Sequence, residues 1–359
     1  MTSPAAEQSE SVDALVGQTL PGGWRIDRHL AEGGMAQVYV ATGPGGERAA
    51  VKVLHAHLVD KPDVAFRFRR EGEIVDSIRS TFVPKVLGRG KDPSGRSFIA
   101  FELVDGRELS QWLEQHVRLS PIVAVEIALQ MCEALRAAHL AGIVHRDMKP
   151  ENVLVAGPLE RPTVKVLDFS ISKDEDLAFT QQGHVIGTPC YMAVEQALGH
   201  PVTPLADIYS VGAILFDMLT GRPPYEADEP GRVLAALLSR EPPSLLSLHP
   251  SLPHSLVEIV ERAMARDAKK RFQKIEWLIE ALTAERDRLA RSDRVDTIPP
   301  PAGGPESAHA SAPARDPEPL LPASVPPPPK RRLDVGIVVA LAVALLLVGA
   351  AAAVIFGRA

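Results

Sequence analysis

The stretch His145-Arg146-Asp147-Met148-Lys149-Pro150-Glu151-Asn152 decides how the rest of this 359-residue chain is read. Within eight positions it sets a carboxylate at Asp147, an amide five residues on at Asn152, and two cations at Arg146 and Lys149. One loop therefore offers a proton acceptor, an oxygen for a hard cation and positive charge for an anionic group. Any one of these residues alone is ordinary in a turn; their density is what separates this string from one.

Transfer of a phosphoryl group asks for that combination. The protein must orient an incoming hydroxyl, place positive charge near the moving group and hold Mg²⁺ against the phosphates. Together with Leu167-Asp168-Phe169, the string resembles the catalytic and metal-binding motifs of protein kinases, in the version carried by bacterial serine/threonine kinases of the Hanks type. The resemblance runs from about Trp24 to Leu289. It implies an α+β, two-lobed protein kinase fold, with a small β-rich N-lobe and a larger helical C-lobe. It also implies ATP as phosphate donor, Mg²⁺ or Mn²⁺ as metal, and Ser or Thr of proteins as acceptor. Under that resemblance Asp147 is the catalytic base, Lys149 contacts the transferred phosphate, and Asn152 and Asp168 ligate the metal.

The pattern upstream agrees with a strand-rich first lobe. Short apolar runs at Gly23–Leu30, Gln37–Ala41 and Ala49–Leu54 read as hairpin strands, the last two joined by the turn Gly43-Pro44-Gly45-Gly46. In Ala50-Val51-Lys52-Val53-Leu54 a period of two puts Ala50, Lys52 and Leu54 on one face. A cation on an apolar strand face is costly unless paired. The family supplies its role, contact with the α and β phosphates, and its partner, a helix glutamate. Asp63–Arg79 offers Glu71 and Glu73. Ile74, Val75 and Ile78 stand at i+3, i+4 and i+7 from Glu71, which places Glu71 on the buried face. Glu73 is surrounded by Arg69, Arg70, Asp76 and Ser77. Glu71 is the expected partner.

The nucleotide loop departs from the family pattern. Ala31-Glu32-Gly33-Gly34-Met35-Ala36-Gln37-Val38 stands where G-x-G-x-x-G-x-V is usual, so two glycines are alanines. Gly33 and Gly34 remain for close approach to phosphate, and Val38 and Ala50 are expected against the nucleotide. An alanine forced to positive φ costs about 1–2 kcal/mol, which predicts weakened ATP binding. Phe98–Gly106 resembles the hinge strand, with Glu102 and Val104 offering backbone groups to adenine. Ser170 replaces the glycine after Asp168-Phe169; its Cβ is expected to restrict flipping of the backbone there. Inhibitors that need a flipped Phe169 are expected to bind poorly.

Gly187-Thr188-Pro189-Cys190-Tyr191-Met192-Ala193-Val194-Glu195-Gln196 resembles the end of the family's activation segment, with Val194 for the usual proline. The resemblance pairs Glu195 with Arg271, sets Asp207 to brace the catalytic loop and puts Thr188 near Asp147 and Lys149. It also marks Thr180 as an autophosphorylation site, modified in trans by a second copy, with Arg146 as the cation that receives the phosphate. A second reading, a membrane-anchored pseudokinase that binds ATP as a docking module, draws on the altered glycines, Ser170 and Val194.

Formal charge is −6 with both signs interspersed, which gives no footprint for a nucleic acid. The only two cysteines, Cys132 and Cys190, suit a reducing compartment rather than a disulfide framework. Residues 1–21 read as a disordered arm, and the kinase domain as 22–290. Residues 291–332 read as a linker, since 12 prolines fall within the 40 positions Asp293–Arg332. Val335–Phe356 carries no charge over 22 residues; at about 1.5 Å per residue it reaches across a hydrocarbon core of about 30 Å. A transmembrane helix is expected at 333–357, with 358–359 a short external tail. Lys330, Arg331 and Arg332 put its N-terminal side, and the kinase domain, in the cytoplasm at the inner membrane.

Overall fold

In the computed structural model, residues 15–169 and 189–296 are described. Strands β1 (Thr19–Leu20), β2 (Trp24–Glu32), β3 (Ala36–Thr42), β4 (Arg48–Leu54), β5 (Val86–Lys91) and β6 (Ser97–Glu102) form one sheet in the order β1-β2-β3-β4-β6-β5. Every pairing in it is antiparallel. Alternation sorts its two faces. Ala49, Val51 and Val53 of β4 join Tyr39, Ala41, Phe98, Ala100, Trp24 and Ile26 in one apolar cluster. The other face carries Leu54, Ala36 and Ile99, packed on Phe68 of helix α1 (Pro62–Ser77). The sheet curls: β2 and β5 are far apart in strand order, yet a Cβ on Gly88 would come within 2.8 Å of the Trp24 indole nitrogen. Only glycine permits that approach.

Beyond β6 the chain is mainly helical. Helices α2 (Leu109–Gln115), α3 (Pro121–Leu140), α4 (Val194–Ala197), α5 (Pro204–Thr220), α6 (Pro230–Ser239), α7 (Leu245–Leu248), α8 (His254–Ala263) and α9 (Ile275–Asp296) surround a large apolar core. A small sheet in the order β7-β8-β9, from Gly106–Glu108, Val153–Ala156 and Thr163–Val166, lies in the same part. The sequence of α5 explains its limits. Thr203 caps the N-terminus by accepting from Leu205 N–H, Pro204 takes the first turn, and Gly221 ends the helix at φ +79°. Between these signals α5 is mostly apolar and is buried from Ala206 to Leu219, with Asp207, Ser210 and Asp217 as its buried polar residues. Cys132 is buried in α3, and Cys190 is buried as well.

Two expected boundaries are corrected. Residues 15–21 are not part of an arm: Leu15 and Leu20 are 1% and 2% exposed and pack with Trp24 and Ile26. Two leucines five residues apart are too short a signal to register as periodicity, yet the sheet edge offers them a dry surface. Helix α9 continues to Asp296, past residue 290 and into the segment assigned to the linker. The remaining arm, 1–14, and the linker and membrane segment beyond 296 lie outside the described residues. Among the described residues no helix is long and apolar enough to cross a membrane.

Gly221 permits a test. A Cβ there would run into the Val117 carbonyl oxygen, on a backbone that L-residues rarely adopt. Gly46 has a similar φ of +85° but open space around it. Urea unfolding of Gly46→Ala is expected to show a loss of about 1–2 kcal/mol from backbone strain alone. Gly221→Ala is expected to lose clearly more, because the clash adds to the same strain.

Candidate active site

Lys52 comes from the face of β4 that looks away from the all-apolar cluster, and in register it sits opposite Val38 of β3 and Ile99 of β6. Ala31 pairs with Val38 in turn, so Ala31, Val38 and Lys52 form one cross-strand row. Ala50 is half-buried on that face, two residues from Lys52. The Lys52 ammonium lies 2.7 Å from Glu71 Oε1 and 3.4 Å from Asp168 Oδ1. Glu73, on the outer face of α1, pairs instead with Arg70 at 2.9 Å, both about half exposed. Burial works against the charge on Lys52, but Asp168 and then Glu71 overcome it and hold the amine above its ordinary value. The same ammonium is the main cause holding the Asp168 carboxyl below the usual range. Lys52 and Asp168 therefore stay ionised across the neutral range.

The catalytic string follows α3 and leads into β8. Asp207, at the start of α5 and 1% exposed, accepts from the backbone N–H groups of His145 and Arg146, both at 2.9 Å. It also meets the ring Nε2 of His139 at 2.8 Å. Arg146 is held at φ +67°, where a residue with a Cβ pays about 1–2 kcal/mol. The Gln196 side chain secures it from the other side, donating to the Arg146 carbonyl at 2.8 Å. Asp147, the next residue, is thus hung from a backbone fixed on both flanks. Lys149 Nζ stands 3.4 Å from Asp147 Oδ2. Asn152 donates from Nδ2 to the Asp147 carbonyl at 2.7 Å, which leaves its amide oxygen for another partner.

Asp168 is the second strained residue, at φ +57°. On either side of it the chain is pinned. His145 Nε2 donates to the Leu167 carbonyl at 2.8 Å, and Phe169 is fully buried with its ring 4.6 Å from that of His145. The Asp168 side chain itself is 55% exposed. An anionic carboxylate open to solvent and an amide oxygen on the neighbouring loop are hard donors that suit Mg²⁺. That ion is commonly held by one or two protein oxygens plus phosphates and water. Among the described residues no group of three or more His, Cys, Asp or Glu is arranged as a metal cage.

The nucleotide loop corrects one expectation. Ala31 lies within β2 and Ala36 within β3, and neither has positive φ. The strain anticipated for alanine there does not exist, because extended backbone is open to any L-residue. Gly33 and Gly34 form the exposed turn between the strands. At the hinge, Glu102 N–H donates to the Lys85 carbonyl at 2.8 Å, so any contact from its backbone to adenine must use its carbonyl. The Glu102 side chain is drawn to Lys165 of β9, 2.9 Å away. Val104 follows β6, half-buried. Arg271, 1% exposed, makes a two-pronged pair with Glu195 at 2.6 and 2.8 Å. Val194 takes the first position of α4. Thr180, Thr188 and Ser170 lie outside the described residues.

Sequence reasoning missed His139, Gln196, Lys165 and the bond from the Tyr191 hydroxyl to Asp217 at 2.6 Å. Each acts on a residue remote in the chain, so spacing carried no signal for it.

A strand-rich lobe and a helical lobe that bring a paired lysine, a strained aspartate and an Asp-Lys-Asn loop together define the two-lobed protein kinase fold. The protein kinase domain family matches residues 24–281. The chain is 39% identical over 270 residues to serine/threonine-protein kinase Pkn1 of Myxococcus xanthus, covering 74% of this chain and 38% of that one. It is 36% identical over 294 residues to serine/threonine-protein kinase PknA of Mycobacterium tuberculosis, covering 80% and 66%. The solved PknI kinase domain of Mycobacterium tuberculosis superposes with a TM-score of 0.57 at 26% identity, over 75% of this chain and 98% of that one. The chain belongs to the protein kinase family, and its catalytic domain is of the bacterial serine/threonine type.

Two outcomes test the electrostatics. Glu71→Gln keeps a hydrogen-bonding group but removes the charge that anchors Lys52. Loss of such a charge-assisted bond is expected to lower kcat/KM in steady-state assays about 10- to 150-fold, whereas Glu73→Gln should change nothing measurable. Burial, with Glu226 and Glu151 nearby, pushes the Asp217 carboxyl up to about 6 from an ordinary 3.8. Between those values the native protein binds more protons at Asp217 than the unfolded chain does, so this residue lowers stability as pH rises from 4 to 6. Asp217→Asn is expected to raise the melting temperature at pH 7 and to flatten that part of the stability profile.

Proposed function

We propose that this protein is a membrane-tethered serine/threonine kinase that transfers the γ-phosphate of ATP to Ser or Thr of other proteins and to its own activation segment. The observation that carries this reading is the closed chain of charge from Glu71 through Lys52 to Asp168, at 2.7 and 3.4 Å, beside the Asp147–Lys149–Asn152 loop. A chain of that kind holds a cation ready for the α and β phosphates on one side and an ionised metal ligand on the other. Asp147 orients the substrate hydroxyl and accepts its proton. Lys149, 3.4 Å from Asp147, supplies positive charge to the phosphoryl group as it moves. Mg²⁺ bound by Asp168 and Asn152 would neutralise charge on the phosphates.

The pseudokinase alternative draws on the altered glycines, Ser170 and Val194. Of these, Ala31 and Ala36 have ordinary strand geometry and give it no strain, while Val194 opens α4 and Ser170 lies outside the described residues. Regulation completes the proposal. Thr180 is the site of autophosphorylation in trans, with Arg146 as its counter-ion. The apolar run Val335–Phe356 anchors the chain in the inner membrane, with the catalytic domain on the cytoplasmic side. Tethering concentrates copies in two dimensions and favours that reaction.

The test is phosphate transfer from labelled ATP by the full 359-residue chain in detergent with Mg²⁺ or Mn²⁺. Incorporation into the chain and a generic protein substrate is expected, with a fall of about 10²–10⁴-fold in Asp147→Asn. Nucleotide binding without transfer under all these conditions would replace the kinase reading with the docking module.

A further inference from the structure

We propose that His55 is a positioning residue for ATP. Its ring holds the Gly33 carbonyl and thereby aims the nucleotide loop at the phosphates. The inference rests on the kinase reading above and adds a residue to it that lies outside the catalytic strings.

His55 directly follows the last residue of β4, three positions beyond Lys52. It is 8% exposed. Two of its groups reach the loop between β2 and β3. Its backbone N–H donates to the Met35 carbonyl at 3.0 Å, and its ring Nε2 lies 2.8 Å from the Gly33 carbonyl oxygen. A carbonyl oxygen only accepts, so Nε2 carries the hydrogen. The loop is closed on itself by one further bond, from Gly33 N–H to the Ala36 carbonyl at 2.9 Å. Side-chain packing does little to shape this turn. A Cβ on Gly34 would meet nothing within 4 Å, and one on Gly33 only the Ala36 oxygen at 3.5 Å. Hydrogen bonds are what fix its conformation.

The consequence follows from peptide geometry. The Gly33 carbonyl and the Gly34 N–H belong to one planar trans unit and point in opposite directions. The β3–β4 ladder, whose last pair is Ala36 opposite Leu54, runs on by one bond at His55, from its N–H to the Met35 carbonyl, so the strand alternation persists through it. Alternation puts Val53 and His55 on the face opposite Lys52. Drawing the Gly33 carbonyl towards His55 therefore turns the Gly34 N–H towards the Lys52 side, where the phosphates bind under this reading. A backbone N–H fixed in that direction is a ready donor to an anion. Without the ring, the peptide unit is free to rotate and present its carbonyl to the phosphate instead. The ring is in turn steadied by His57, stacked at a centroid distance of 5.4 Å and 25° between planes.

The experiment compares His55→Leu, His55→Asn and His55→Gln with wild type in the full chain. It reads the Kd of a fluorescent ATP analogue with Mg²⁺, the KM and kcat of transfer, and the melting temperature without nucleotide. Gln places an amide N–H near the position of Nε2, whereas Asn is too short to reach Gly33. Leu and Asn are expected to raise Kd and KM for nucleotide about three- to tenfold, the effect of one lost neutral hydrogen bond. kcat should stay within about twofold and Gln should recover most of the affinity. If the Leu variant does not fold, Asn against Gln decides the same question. Equal affinity in Asn and wild type, or Gln no better than Asn, overturns the proposal, as does a fall in melting temperature with nucleotide affinity unchanged. Because Kd needs no turnover, a wild-type chain that binds the analogue but transfers no phosphate refutes the kinase reading while leaving this comparison readable.

Discussion

The ammonium of Lys52 is the constraint around which the site is built. It sits on the half-buried face of a strand, where an unpaired charge is not tolerated, and it must therefore find carboxylates. It finds two, one on α1 and one just beyond β9. That requirement docks α1 against the sheet with Glu71 turned inwards, and it draws the segment carrying Asp168 from the helical part of the chain to the strand-rich part. The apolar contacts of Phe68 with Leu54 and Ile99 reinforce the first docking. The apolar pattern of α1 thus sets which face is buried, and the pair between Glu71 and Lys52 satisfies the two charges that this burial brings together.

Strain is the second organising theme. Among the described residues, only Arg146 and Asp168 combine a side chain with positive φ, and each adjoins or forms part of the reactive constellation. Both are over-determined by their surroundings. Asp207 accepts two consecutive backbone N–H groups and meets a histidine ring, Gln196 grips the next carbonyl, and His145 ties the catalytic string to Leu167. A backbone conformation that costs about 1–3 kcal/mol persists only under such support. The support comes from buried polar groups on α5 and α4, which is why the helical lobe needs Asp207 inside a mostly apolar helix.

The reading of the sequence went furthest where one residue's environment is set by its immediate neighbours. The helical face that selects Glu71 over Glu73 is a local pattern, and so is the alternation that isolates Lys52. The turn at Gly43–Gly46 was legible for the same reason. It failed where the outcome depended on geometry that neighbours do not report. Alanines in place of loop glycines suggested strain, yet whether a position has positive φ is decided by where the strands end, and both alanines fall inside strands. Leu15 and Leu20 looked like part of an unstructured arm because their packing partners, Trp24 and Ile26, cover them only once the sheet has formed.

The sequence by itself determined the family, the lobe order and the identity of the glutamate paired with Lys52. These follow from residue types at short separations, where chain connectivity limits the alternatives. Only the tertiary structure decided what holds those residues in place: Asp207 under the catalytic loop, Gln196 on Arg146, Lys165 on Glu102 and the His55 ring on Gly33. Such contacts join residues tens of positions apart through one hydrogen bond or ion pair each. A single polar residue has many possible distant partners, and nothing short of the packed fold chooses among them.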